Sequence, residues 1–192
     1  MSQIIPGKVV VVGDTQVGKT AIVNKYNNIV DGAQETTVAA NSIKCVVPLD
    51  GEEVSLSVWD TAGQENFKCL LPMYSRGAQV GLVVFDINRP ETFSHLDEWI
   101  RYLTDQGECS IVIVANKSDL EHKVDLDDVQ SFARARGYEY YQTSALTGDG
   151  IDLLFQAVAT IVHSCQNQRA AATTVEFKPA QAEENEQKSG CC

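Results

Sequence analysis

Gly13, Gly18, Lys19 and Thr20 are the first residues in the chain whose spacing implies a chemistry. They stand in the run Gly13-Asp14-Thr15-Gln16-Val17-Gly18-Lys19-Thr20, directly after the apolar Val9-Val10-Val11-Val12. That order suits a buried strand that ends, a tight loop, and a helix that opens at Lys19-Thr20. Backbone N–H groups of such a loop point inward and wrap a phosphate. The helix N-terminus adds partial positive charge beneath it. Asp14, Thr15, Gln16, Val17 and Gly18, with Lys19, Thr20 and Ala21 at the helix start, are the expected phosphate-binding residues. The two glycines permit backbone geometry that a Cβ would obstruct. Lys19 can neutralise the outer phosphates, and the Thr20 hydroxyl can ligate Mg²⁺.

A second cluster is Asp60-Thr61-Ala62-Gly63-Gln64-Glu65. Asp60 is placed to hold Mg²⁺ directly or through water, since that ion takes few protein ligands and keeps several waters. Gly63 can offer its N–H to a terminal phosphate. Gln64 carries a donor and an acceptor, which suits it to orienting an attacking water. A third cluster, Asn116-Lys117-Ser118-Asp119, supplies base identity. The Asp119 carboxylate can accept two hydrogen bonds from the guanine ring N–H and exocyclic amine. Adenine presents an acceptor at the ring position, and sites built this way discriminate by ~10⁴ or more. The Lys117 stem is expected to cover the base while its ammonium braces the phosphate loop. After the last strand, backbone N–H groups of Ser144-Ala145-Leu146 can meet the guanine carbonyl oxygen.

These clusters need a scaffold that brings distant segments together. Strand-like and helix-like stretches alternate from Lys8 to about His163. Lys8–Val12, Val80–Asp86 and Ile111–Asn116 are continuous apolar runs, as in central parallel strands covered on both faces. Ile43–Leu49 and Val54–Trp59 form a hairpin across Asp50-Gly51, and Pro48 puts the first of them on a sheet edge. Tyr138–Thr143 reads as the last strand. Helices are expected over Val17–Tyr26, Glu91–Asp105, Asp125–Arg136 and Gly150–Cys165. The alternation implies an α/β fold: a doubly wound, mostly parallel six-stranded sheet with one antiparallel edge strand. Ligands of such sheets sit beyond the carboxyl ends of the strands. Gly13, Asp60, Asn116 and Ser144 all fall at strand ends.

The order of the clusters resembles the Ras superfamily of small GTPases, over roughly Lys8 to His163. The nearest branch is the Rab family, through Trp59 before Asp-Thr-Ala-Gly-Gln-Glu, the run Tyr74-Ser75-Arg76-Gly77-Ala78, and the terminal Cys191-Cys192. Within it, Gln34-Glu35-Thr36-Thr37 and Pro72–Gln79 look most like the early-endosomal subgroup. The resemblance implies a P-loop NTPase fold and a GTP/GDP switch that hydrolyses GTP slowly. Lys19 and Gln64 would be the catalytic residues. Thr37 would join Thr20 and Asp60 around Mg²⁺, and the segments near Thr37 and Gly63–Tyr74 would order when the γ-phosphate is present. Expected partners are an exchange factor, a GTPase-activating protein, effectors in vesicle trafficking, a GDP-dissociation inhibitor and a prenylation escort. The chain departs from the pattern at three positions. Val30 stands where an aromatic ring usually covers the guanine, which predicts faster nucleotide release unless Tyr26 supplies the ring. Ser42 stands where a phenylalanine usually packs with Trp59. Leu146 replaces a lysine.

The 192 residues are expected to form one domain, 1–166, and a flexible tail, 167–192. A net charge of −11 argues against nucleic acid as a partner, and a monomeric domain is expected. The cysteines Cys45, Cys69, Cys109 and Cys165 are scattered and lack a C-x-x-C pair, which suits a reducing cytosol. The start of the chain reads neither as a signal peptide nor as a myristoylation site. Cys191 and Cys192 resemble the Rab double-cysteine end that receives two geranylgeranyl groups. Two are physically sensible, since a single chain holds a membrane only marginally. The location implied is the cytoplasmic face of an intracellular membrane, cycling with the cytosol. Two rivals remain at this level. One is a GTP-binding interaction module with negligible turnover; the other is an ATP-using P-loop enzyme, against which Asp119 speaks.

Overall fold

The computed structural model describes residues 4–29, 40–61 and 71–175. Six strands form one sheet: β1 (Ile4–Val12), β2 (Ala40–Leu49), β3 (Glu52–Thr61), β4 (Val80–Asp86), β5 (Ser110–Asn116) and β6 (Glu139–Thr143). Their spatial order is β2-β3-β1-β4-β5-β6. Every neighbouring pair is parallel except β2 and β3. The expected sheet is therefore present, with β2 as its antiparallel edge and Pro48 on that edge. Asp50 and Gly51 link β2 to β3 with φ of 49° and 86°. Two positive φ values in succession are what a tight hairpin with the native twist requires.

The apolar runs are explained by their two faces. Val9 and Val11 of β1, Leu82 and Val84 of β4, and Val112 and Val114 of β5 belong to one core layer. Val10 and Val12, Val83 and Phe85, and Ile113 and Ala115 belong to the other. Successive side chains point to opposite faces, so a strand buried on both sides must be apolar throughout. Helices α1 (Lys19–Tyr26) and α6 (Ile151–Val175) cover the first layer. The α6 residues Ile151, Leu154, Phe155, Val158, Ala159 and Val162 follow helical spacing into it. Helices α4 (Leu96–Thr104) and α5 (Leu126–Arg136) cover the second layer, through Leu96, Trp99, Ile100 and Leu103 and through Val129 and Ala133. Asp125 caps α5 by accepting from the Asp127 N–H at 2.9 Å, and Gly137 ends it at φ 70°.

Three local expectations change. The helix expected over Glu91–Asp105 is broken: α3 (Pro90–Ser94) ends at His95, and α4 begins after it. A short helix, α2 (Leu71–Ser75), falls in a segment where no helix was foreseen. Finally α6 runs to Val175, ten residues past the expected Cys165 and into the stretch read as tail. Alanine-rich sequence such as Ala170-Ala171-Ala172 favours helix without needing apolar periodicity. Gln166 adds a tie by donating its amide to Pro6 O at 3.0 Å. Among the described residues no helix is long and apolar enough to cross a membrane.

Candidate functional site

The carboxyl ends of β1, β3, β4, β5 and β6 converge on one rim, and the expected site residues lie along it. After Val12 the chain turns at Gly13, φ 140°. A Cβ there would lie 2.1 Å from Val84 O, so the loop starts where only glycine fits beside β4. Gln16 adopts φ 62° and Gly18 φ 97°. A Cβ on Gly18 would stand 2.3 Å from the Asn116 amide nitrogen. The glycines are thus demanded by the protein's own packing as well as by loop shape. The first bond of α1 runs from Ile22 N–H to Gly18 O at 3.0 Å. Lys19, Thr20 and Ala21 form the first turn, where helix N–H groups stand outside the helix's own ladder.

Lys19 is 6% exposed, and its ammonium donates to Gly13 O at 2.9 Å and Asp14 O at 2.7 Å. Burial pushes its pKa down to about 8, against the raising influence of Asp60 and Asp14. The lysine therefore sits folded back along the loop that it follows. Thr20 donates its hydroxyl to Asp60 Oδ2 at 2.5 Å. Asp60 is buried near the end of β3, and the Thr61 hydroxyl ties that end to β1 by donating to Val11 O at 2.7 Å. A hydroxyl and a carboxylate in contact are hard oxygen donors, a set that fits Mg²⁺.

Asn116 is the central strut. Its amide donates to Val17 O at 2.8 Å, while its carbonyl accepts from the Thr143 hydroxyl at 3.1 Å and from the Ala145 N–H at 3.3 Å. One side chain at the end of β5 thereby joins the phosphate loop, β6 and the segment after β6. Asp119 is exposed and accepts from the Ser144 hydroxyl at 2.5 Å. The Ser144 N–H is bonded within the fold to Asp149 O. Leu146 is 77% exposed, and its carbonyl accepts from Lys25 at 3.0 Å.

A model of the Ras family matches residues 8–164. The chain belongs to the Ras family. It thereby carries a small-GTPase domain, whose general capacities are guanine-nucleotide and Mg²⁺ binding and GTP hydrolysis.

Within this Ras-family domain one expected contact differs. Among the described residues the Lys117 ammonium makes no hydrogen bond to the phosphate loop; it pairs with Asp86 Oδ2 at 2.6 Å. Asp86 is buried at the end of β4, beside that ammonium. The Tyr26 ring stacks on Phe155 with centroids 3.9 Å apart, and its hydroxyl donates to Val46 O. Ser42 is exposed on the edge strand opposite Trp59, whose ring lies 5.4 Å from that of Tyr74. Val30, Thr37, Gly63, Gln64, Cys69, Cys191 and Cys192 lie outside the described residues. Cys45, Cys109 and Cys165 are free thiols.

Four residues of the rim escaped the sequence reading. Asp86 also binds Arg89 at 3.2 Å, and Arg89 donates to Thr15 O at 2.9 Å. His95 and Trp99 reach Asp14. Asp86 was in reach of the strand-end rule that found the others. The remaining three act only through tertiary contact, for which the sequence carries no spacing signal.

Proposed function

We propose that this Ras-family domain is a Rab-like GTP/GDP switch that hydrolyses GTP to GDP and phosphate and recruits effectors in vesicle trafficking. The observation that carries the guanine reading is the pairing of Asn116 with Asp119. Asn116 is bonded to Val17 of the phosphate loop, and Asp119 presents an exposed carboxylate three residues on. Asn116 would thus tie a phosphate cradle that follows β1 to a carboxylate after β5 that is suited to accept from a purine edge. Lys19, with the N–H groups of Asp14 to Ala21, would neutralise and surround the phosphates. Thr20 and Asp60, joined by Thr37, would hold Mg²⁺, which supplies charge neutralisation when bound. Gln64 would orient the water. Positioning and electrostatics then do most of the catalysis.

The test is competition for bound labelled GDP. Unlabelled GDP is expected to displace it at ~10³-fold lower concentration than ADP, and Asp119→Ala to erase most of that preference. Equal displacement by the two nucleotides would sink the reading. The membrane part rests on Cys191 and Cys192. Chain prenylated in a cell extract is expected to float with liposomes, and the Cys191→Ser, Cys192→Ser double variant to stay behind.

A further inference from the structure

The acidic residue of the phosphate loop poses an electrostatic problem. A carboxylate beside a bound phosphate repels it, and Asp14 stands directly after Gly13. Two side chains hold that carboxylate. Trp99 donates its indole N–H to Asp14 Oδ1 at 2.7 Å, and His95 Nδ1 lies 2.7 Å from Oδ2. The next loop residue is held through its backbone, where Arg89 donates to Thr15 O at 2.9 Å. Arg89 is itself anchored on Asp86. One segment, residues 89–99, therefore grips two consecutive residues of the loop. Gln16, immediately after them, is a non-glycine at φ 62°. Conformations of that kind persist only where the surroundings over-determine them.

The break between α3 and α4 belongs to the same arrangement. His95 has φ −88° and ψ −2°, and it is both the last cap of α3 and the first of α4. Its ring and that of Trp99, four residues on, share the face of α4 that meets Asp14. We propose that Arg89, His95 and Trp99 are positioning residues for the phosphate loop, so that nucleotide retention depends on α4, an element outside the motif clusters. The proposal rests on the reading of that loop as the nucleotide cradle.

The experiment loads the full chain with fluorescent GDP and Mg²⁺ and follows release into excess unlabelled GDP. Trp99→Phe keeps the ring and loses the N–H; it and His95→Ala are each expected to release GDP about tenfold faster than wild type. His95→Asn keeps a donor at the Nδ1 position and is expected to return to within about threefold of wild type. His95→Leu keeps volume without a donor and is expected to match His95→Ala, which a purely structural role would not give. In an Asp14→Ala background, Trp99→Phe is expected to add no further change. Release by Trp99→Phe and His95→Ala within about twofold of wild type overturns the proposal. So does a full Trp99→Phe effect without the Asp14 carboxylate. If wild type retains no GDP, the nucleotide reading falls, and this proposal with it.

Discussion

Asp86 holds two cations on one carboxylate. Its side chain is 3% exposed, with Lys117 at 2.6 Å and Arg89 at 3.2 Å from the same oxygen. The other oxygen accepts from the Asn88 N–H at 2.9 Å. Removing a buried anion leaves its partners uncompensated, so Asp86→Ala is expected to cost about 3–5 kcal/mol in urea unfolding. Asp86→Asn keeps the acceptor and is expected to cost less. Cys109 allows a chemical check on burial. Burial, then the neighbouring Cys165, push its thiol from 9.0 up to about 12. Between those values the folded chain holds a proton that the unfolded chain has released. The contribution to stability is thus complete below 9.0 and is lost as pH rises towards about 12. Near pH 8, iodoacetamide is expected to leave Cys109 unlabelled in the native chain and label it in denaturant, as read by peptide mass mapping. At this scale the sequence was legible wherever a residue type has few uses, as with Lys19 behind two glycines or Asp60 after an alternating strand. Arg89 and His95 have many uses, and only their neighbours in space select one.

Elements were legible in proportion to how strongly burial patterned them. The central strands and the β2–β3 hairpin were readable because both faces, or one face strictly, must be apolar. The break at His95 was hidden because Leu96, Trp99, Ile100 and Leu103 keep helical spacing straight after it. The extension of α6 was hidden for the opposite reason, since its last turns carry no apolar stripe. The contact of α6 with the sheet gives a sharp test. A Cβ on Gly7 of β1 would lie 2.6 Å from Val162 Cγ1 and 3.0 Å from Leu56 Cδ2. Gly7→Ala is expected to destabilise by about 1–3 kcal/mol through overpacking. Val162→Ala in the same chain should recover part of that loss, because it vacates the nearer contact. Thermal unfolding of the four proteins of the cycle measures it, and strictly additive effects would refute the contact.

At the scale of the whole molecule, every part of the candidate site comes from a different stretch of chain, and the sheet is what assembles them. The order β2-β3-β1-β4-β5-β6 sets β1 between β3 and β4. Lys19 and Asp60 thereby become neighbours, as do the phosphate loop and the segment from Asp86 to Trp99. The mostly parallel sheet with one antiparallel edge was legible from strand–helix alternation, but its strand order and the couplings across it were not. The contact between Gly18 and Asn116 shows what such coupling entails. The missing Cβ of one is the room taken by the amide of the other. Gly18→Ala alone is expected to be severe, and in an Asn116→Ala chain its added cost should be smaller by about 1–3 kcal/mol. The residual cost reflects φ 97°, which alanine tolerates poorly. A double-mutant cycle in urea would reveal the difference. The phosphate motif and the base motif are then coupled in what substitutions they tolerate. A side chain at position 18 finds room only when position 116 gives way, and with it the strut beneath the base motif.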